Sequence, residues 1–219
     1  MWLFLGQEVL FFAALFTAYS VYRGNHTDMF HYGQYFLDWR MGGANTIVLL
    51  FSSMTAAWSV RCAQLEQRKG LLITIAITWA CAATFMIIKY FEYSHKIHIG
   101  AIWGEHFHIH SFDELPLPLQ EKLSHIPVPE GKTQIEAVND YLGKGGLGLG
   151  TFFAVYFCMT GLHGIHVLVG MGLYIWLFVR AWRGRYNRKY YSSVDNIALY
   201  WHIVDLIWIF LFPLLYLIG

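Results

Sequence analysis

One uncharged stretch decides the fold of this 219-residue chain: TFFAVYFCMTGLHGIHVLVGMGLYIWLFV, residues Thr151 to Val179. About 20 helical residues cross the ~30 Å hydrocarbon core of a bilayer, so the stretch is long enough to span a membrane. Lipid offers no partners to backbone N–H and C=O groups, so a continuous apolar segment can span it only as a helix. We therefore predict a membrane-spanning helix here.

The same pattern recurs four more times, at about residues 2–22, 43–60, 71–91 and 197–218. The composition agrees, with 57% hydrophobic and only 13% charged residues, against about a quarter charged in a soluble domain. A net charge of +1 leaves no basic surface typical of nucleic-acid binding. We predict an all-α polytopic membrane protein, one domain over 1–219, in which five transmembrane helices form a bundle and residues 94–150 form a long inserted loop.

The distribution of basic residues predicts the orientation, because cytoplasmic loops are enriched in lysine and arginine. Two connections on one side of the membrane are rich in them: Arg61, Arg68, Lys69, Arg180, Arg183, Arg185, Arg188 and Lys189. The longer connections on the other side are poorer: Arg23, Arg40, Lys96, Lys122, Lys132 and Lys144. We expect a cytoplasmic amino terminus, an external or periplasmic carboxyl terminus and an external loop 94–150, with a short amphipathic helix at 134–142.

Ionisable groups inside the predicted helices are the candidate functional residues. Glu8 lies within the first helix, where burial costs about 2.5–3.5 kcal/mol unless the carboxyl is paired, protonated or hydrated. A functional carboxyl and a structural, protonated one both fit this position. Glu92 ends the third helix, three residues after Lys89, with which it could pair.

Four further polar residues have a spacing of three on the last two helices: His163 and His166, then His202 and Asp205. Residues three apart lie on one helix face. The carboxylate could orient the imidazole, as it does beside bound metals and in ordinary buried pairs. We favour interhelical hydrogen bonding over metal binding, because no cysteine or carboxylate completes a recognised set of ligands.

The predicted loop adds more of the chain's 11 histidines. In an extended segment His106, His108 and His110 would face one side and could bind copper or zinc, although a solvated loop is the favoured interpretation. The chain has no Cys-x-x-Cys-His for covalent heme, no phosphate-binding glycine loop and no nucleophile elbow. We expect no catalytic residue, no metal site and no redox centre in this chain.

Five blocks, taken in order, resemble subunit III of the heme-copper terminal oxidases. They are Trp2 to Phe12, Asn45 to Leu50 with Ser52 and Ser53, Glu92-Tyr93, Thr160 to Val167, and Tyr200 to Trp208. Their order and placement cover nearly all of the predicted membrane part. The chain looks like the five-helix bacterial form, without the two helices that precede the first block in longer members. Its external loop is much longer than that of the family.

The resemblance implies a subunit that binds neither heme nor copper itself. It would pack on the catalytic subunit I, which carries those cofactors, beside subunit II and small subunits in the bacterial inner membrane. It would bind phospholipid and support proton uptake and the durability of the oxygen-reducing centre, with cytochrome c as electron donor. Glu8 matches the family's carbodiimide-reactive acid, and the other matched polar positions hold the bundle and its lipids together: His163, His166, Glu92, His202 and Asp205.

Three alternatives remain open at this point. A quinol oxidase shares this subunit, although glutamate rather than aspartate at position 8 favours the cytochrome c type. A membrane di-metal enzyme is suggested only by the number of histidines. An independent proton transporter could use Glu8, His166 and Asp205 as a relay, but the sequence has neither an inverted repeat nor interrupted helices.

Overall fold

The computed structural model describes residues 1–143, 146–186 and 190–217. Within these ranges all regular secondary structure is helical, and no strand is present. The α-helices are α1 (Trp2–Asn25), α2 (Thr27–Gln34), α3 (Trp39–Gln64), α4 (Arg68–Ile99), α5 (Leu117–Leu123), α6 (Gln134–Leu142), α7 (Leu149–Trp182) and α8 (Ser192–Phe212). A π-helical turn, Pro213–Leu217, continues α8.

Five of these helices are long and apolar enough to cross a membrane: α1, α3, α4, α7 and α8 with its π-helical turn. The predicted all-α membrane architecture is confirmed. Each helix extends beyond the predicted apolar segment, and α4 continues from the predicted end at residue 91 to Ile99. Hydropathy detects only the part of a helix suited to hydrocarbon, whereas backbone hydrogen bonds continue through polar residues. The predicted end at Ile218 lies outside the described residues.

The chain divides into two compact units. Unit one comprises the described residues of Met1–Ala13, Arg40–Lys89 and Gly161–Phe212. Small and hydroxyl residues let its helices approach closely. The Thr55 and Thr78 hydroxyls are 2.8 Å apart between α3 and α4, and the indole of Trp201 on α8 donates to Ser52 Oγ on α3 at 2.8 Å.

Unit one also brings the two basic connections together. The Arg68 guanidinium, at the start of α4, donates a hydrogen bond to the carbonyl of Trp182, at the end of α7. Arg183 and Arg185 follow immediately and are exposed. The remaining basic residues of that connection, Arg188 and Lys189, lie outside the described residues.

Unit two comprises the described residues of Ala14–Trp39, Tyr90–Thr160 and Pro213–Gly219. The predicted loop 94–150 is folded here rather than merely solvated, because both its ends are helical and its interior has a hydrophobic core. Buried apolar side chains of that core are Phe107, Ile109, Leu115, Leu119, Leu123, Val138 and Leu142. Lys144, on the same connection, lies outside the described residues.

Helix α6 has the predicted bounds, whereas α2 and α5 were not predicted. Val138 and Leu142 of α6 are buried, as the amphipathic pattern of that helix requires. At its start the Thr133 amide donates to Glu136 Oε2 at 2.8 Å, and this hydrogen bond lowers the pKa of the Glu136 carboxyl. Farther along, Asn139 accepts from the Ile109 amide and donates to its carbonyl, which fixes the histidine-containing segment against α6.

Candidate functional site

Glu8 of α1 and His166 of α7 form a polar pair in unit one. Glu8 Oε2 lies 2.7 Å from His166 Nε2, and the two side chains are 14% and 18% exposed respectively. The pair therefore reaches the surface of the chain. It is the interhelical hydrogen bond that the sequence favoured over metal binding for His166.

The second ring nitrogen fixes how many protons the pair holds. His166 Nδ1 lies 2.7 Å from the Leu162 carbonyl oxygen, which can only accept, so Nδ1 carries a hydrogen. The 2.7 Å contact between Nε2 and Oε2 then requires one further proton, carried either by the imidazole or by the carboxyl. A hydrogen bond across this contact can therefore be written as Glu⁻/His⁺ or as GluH/His, with one proton between the two side chains in both cases.

A groove of about 520 Å³ opens beside the pair, lined by Gln7, Glu8, Leu10, Phe11 and His166. Phe12 packs its ring edge against the His166 imidazole, with the ring centroids 5.1 Å apart. Tyr200 of α8 donates to the His166 backbone carbonyl at 2.9 Å. These contacts hold the imidazole in place at the edge of the groove, where a proton or a polar ligand group can reach it.

His163 lies one helical turn away but is fully buried. Its ring packs against Trp208 and Phe85, with centroid separations of 5.2 Å and 5.6 Å. Neither ring nitrogen hydrogen-bonds to a described residue. The Lys89 ammonium lies over the same Trp208 ring, 4.6 Å from its centroid. His163 is therefore a core histidine of an aromatic cluster, and the spacing of three does not give it the environment of His166.

His202 and Asp205 of α8 also have different surroundings. His202 Nδ1 is 2.7 Å from the Ser53 hydroxyl of α3, a second interhelical hydrogen bond. The Asp205 carboxyl is buried, and neither of its oxygens hydrogen-bonds to a described residue. The structure thus gives His202 a hydroxyl partner, where the sequence suggested the Asp205 carboxylate.

Glu92 belongs to unit two, where three donors converge on its Oε1 atom. They are Lys96 Nζ at 2.7 Å, Tyr156 OH at 2.9 Å and Tyr216 OH at 2.5 Å. Lys96 and Glu92 are only 3% and 4% exposed. The four side chains form a buried charged cluster that joins α4, α7 and the π-helical turn after α8.

Several residues of these sites were not predicted from the sequence. Lys96 stands four residues after Glu92, the spacing of a helical ion pair, and this signal could have been recognised. Tyr200 is the first residue of the block Tyr200 to Trp208, which resembles the oxidase subunit III family. No sequence signal marks Tyr156 or Tyr216, because an isolated tyrosine in an apolar helix gives no indication of which distant carboxylate it meets.

The loop histidines do not gather around a common point in the described chain. His106 ends a 3₁₀ turn rather than continuing an extended segment. His108 and His110 remain neighbours, with ring centroids 5.9 Å apart. Among the residues that the structure describes, no three or more His, Cys, Asp or Glu side chains are arranged to hold a metal ion. The three-histidine copper or zinc site therefore has no geometric support.

Comparison with known proteins gives a consistent set of similarities. Residues 136–219 match the family model described as "Cytochrome c oxidase subunit III". The chain is 25% identical over its whole length to quinol oxidase subunit 3 of Bacillus spizizenii, covering 85% of that protein. It is 27% identical to cytochrome c oxidase subunit 3 of Synechocystis sp., with 99% of the chain and 73% of the relative aligned.

A third relative has a different organisation. The chain aligns over its full length with a heme-copper oxidase subunit I+III from Aeropyrum pernix, at 26% identity, and covers 22% of that protein. In that relative, the two subunits named are parts of one polypeptide.

Proposed function

We propose, from the premise that this chain belongs to the subunit III family of the heme-copper oxidases, that it is the non-catalytic core subunit III of an aerobic respiratory oxidase. In this role it packs on subunit I, binds phospholipid and supports proton uptake during oxygen reduction. Heme and copper belong to the partner subunits and supply the redox chemistry there. This chain contributes protonatable groups and packing surface.

The Glu8–His166 pair is the observation that carries the proton part of this proposal. Glu8 Oε2 and His166 Nε2 lie within hydrogen-bond distance, 2.7 Å apart, at a groove that opens to the surface of the chain. A site that moves or buffers protons needs such an exchangeable, partly exposed proton. The groove beside it, with apolar Leu10 and Phe11 next to the polar pair, also suits a phospholipid.

Subunit I is the proposed main partner. The subunit I+III relative joins both in one chain, which requires them to be held together in that protein. Much of α1 is apolar and exposed, including Trp2, Leu3 and Leu10, and so is available to a neighbouring helix or to lipid. Subunit II and small subunits are further proposed partners in the same complex.

Purification of the native complex tests this assignment. We expect this chain to be recovered, under mild detergent, beside a heme-bearing subunit in fixed stoichiometry. Mass measurement of the complex combined with heme analysis provides the readout. Recovery only as a free oligomer without heme proteins would refute the proposed function.

Replacing Glu8 by glutamine tests the proton pair within the intact oxidase. Glutamine keeps the size of the side chain but cannot share a proton with His166 Nε2, so we expect an assembled complex with slower proton uptake. His166→Gln should cause a similar defect, and the double variant should be little worse than either, because all three remove one shared proton. Proton uptake is measured on reconstituted oxidase by stopped-flow with a pH indicator.

The matched control is His98→Gln, which changes the same residue type at an exposed position near the end of α4. It should leave proton uptake unchanged. Unaltered proton uptake, turnover and lipid content in Glu8→Gln would show that Glu8 has only a structural role.

Cytochrome c is the proposed electron donor, and quinol is the second candidate. The relatives include subunits of both oxidase types, and their similar identities to this chain do not separate them. Glutamate at position 8 is the feature that favours cytochrome c. Oxygen consumption by the purified complex with reduced cytochrome c, and separately with a quinol, distinguishes the two.

The proposed location is the bacterial inner membrane, with the amino terminus in the cytoplasm and the carboxyl terminus in the periplasm. The contact between Arg68 and the Trp182 carbonyl supports the requirement that both basic connections lie on one side. Their charge then favours the cytoplasmic side.

A further inference from the structure

An apolar groove separates part of α4 from part of α7 within unit one. Its volume is about 230 Å³, and its accessible lining is entirely apolar: Ile75, Ala76, Trp79, Tyr174, Ile175 and Phe178. It is larger than the ~150 Å³ apolar cavity that accommodates a benzene molecule. The groove is thus large enough for part of a hydrocarbon chain. It is separate from the groove at Glu8 and His166, with which it shares no lining residue.

Basic groups lie at one end of the two groove helices. Arg68, the first residue of α4, is exposed and donates to the carbonyl of Trp182, the last residue of α7. Its guanidinium has five N–H donors, and this carbonyl does not use them all. Gly184 approaches the same guanidinium, which brings the exposed Arg183 and Arg185 to this end.

The distance between the charge and the groove matches the depth profile of a lipid. Ile75 and Trp79 follow Arg68 by 7 and 11 residues on the same helix. At 1.5 Å per residue, they lie about 10 Å and 16 Å along the axis from it. The headgroup region occupies the outer ~5–8 Å of each leaflet. A phosphate at Arg68 would therefore place acyl-chain carbons beside these two residues.

We propose that the groove between α4 and α7 binds one acyl chain of an anionic phospholipid whose phosphate is held by Arg68. This extends the lipid-binding part of the proposed function to a second site, which is independent of the Glu8–His166 pair. Arg68 fixes the phosphate, while Lys69, Arg183 and Arg185 add positive charge at this end. Glu66 lines the same small pocket as Arg68 and offsets only part of that charge. A zwitterionic lipid would bring its own ammonium group into this basic region, whereas phosphatidylglycerol would not.

A photoactivatable lipid tests the site directly. The full chain is reconstituted in vesicles containing phosphatidylglycerol with a diazirine midway along one acyl chain, and labelled residues are mapped by mass spectrometry. We expect label on Trp79, Tyr174 and their groove neighbours. The phosphatidylcholine analogue should label them at least about 5-fold less, since one basic side chain near a membrane surface contributes roughly that factor toward anionic lipid.

Two pairs of variants separate the groove from the charge. Ala76→Phe fills the groove and should abolish labelling there, whereas Ala57→Phe places the same ring at an exposed position on α3 and should not. Arg68→Gln should reduce the preference for phosphatidylglycerol by roughly 5-fold, the contribution of one basic side chain, whereas Arg61→Gln, at the end of α3, should retain it. Arg68→Gln also loses the contact with the Trp182 carbonyl and could fold poorly for that reason. Ala76→Phe leaves this contact intact, so it tests the groove independently of Arg68.

Several results would overturn the proposal. Equal labelling by both headgroups would show that charge does not select the lipid, and labelling unaffected by Ala76→Phe would place the chain elsewhere. A preference for phosphatidylglycerol that added inorganic phosphate and Arg68→Gln both leave unchanged would show that Arg68 does not hold the lipid phosphate. A cross-link from the groove to another subunit would make it a protein interface. None of these outcomes affects the proton-uptake test at Glu8, so the two proposals can fail separately.

Discussion

Replacing Glu92 by leucine is expected to destabilise the protein by about 3–5 kcal/mol, the cost of leaving a buried charge without its partner. The substitution removes the atom on which Lys96, Tyr156 and Tyr216 all converge. Lys96 is 3% exposed and would keep the Tyr156 OH, 3.2 Å away, as a hydrogen-bond partner, while Asp38 would remain as a more distant negative charge. Thermal unfolding of the full chain in detergent, followed by near-ultraviolet circular dichroism, measures the loss.

The double variant Glu92→Leu/Lys96→Met tests the physical reason. Removing both charges together should recover much of the stability, since a buried ion pair can often be replaced by apolar side chains at little cost. Asp140→Leu is the matched control: its partner Lys132 is 47% exposed, and water replaces the lost contact, so no measurable change is expected. A double variant as unstable as Glu92→Leu would show that the tyrosine hydrogen bonds, rather than the charges, hold this cluster.

The fold was largely predictable from hydropathy, because each long apolar segment must form a helix in lipid. The amphipathic spacing also predicted α6. Helices α2 and α5 were missed because they are only 8 and 7 residues long, too short for a clear periodic signal. Pro118 near the start of α5 was nevertheless a recognisable helix-start signal.

The pairing of the candidate site residues was not predictable. Glu8 and His166 were both identified as candidates, but their contact joins residues 158 positions apart. Such a contact depends on how each helix is rotated about its axis, and an almost uniformly apolar helix gives no amphipathic pattern from which to read that rotation. His163 shows the same limit. His166, one helical turn away, hydrogen-bonds to a carboxyl, whereas His163 packs among aromatic rings.

Trp201→Ala is expected to cost about 3–5 kcal/mol, close to the loss for Glu92→Leu but for a different reason. The indole is fully buried and fits against Gly170 of α7 so closely that an added Cβ there would lie 2.5 Å from the ring. In a membrane, helices associate through such close packing rather than through escape from water. Alanine would therefore leave a cavity between α7, α8 and α3 and would deprive Ser52 of its donor.

Three further variants separate packing from hydrogen bonding at this position. Trp201→Phe fills most of the space but lacks the indole N–H. It should lower the free energy of unfolding by about 1 kcal/mol more than the loss of side-chain volume alone would. Gly170→Ala should destabilise by about 1–3 kcal/mol, because the buried indole has little room to move. Trp58→Ala removes a tryptophan that is 61% exposed and should have little effect. If Trp201→Ala unfolded at the same temperature as Trp58→Ala, close packing against Gly170 would not be what joins α7 and α8.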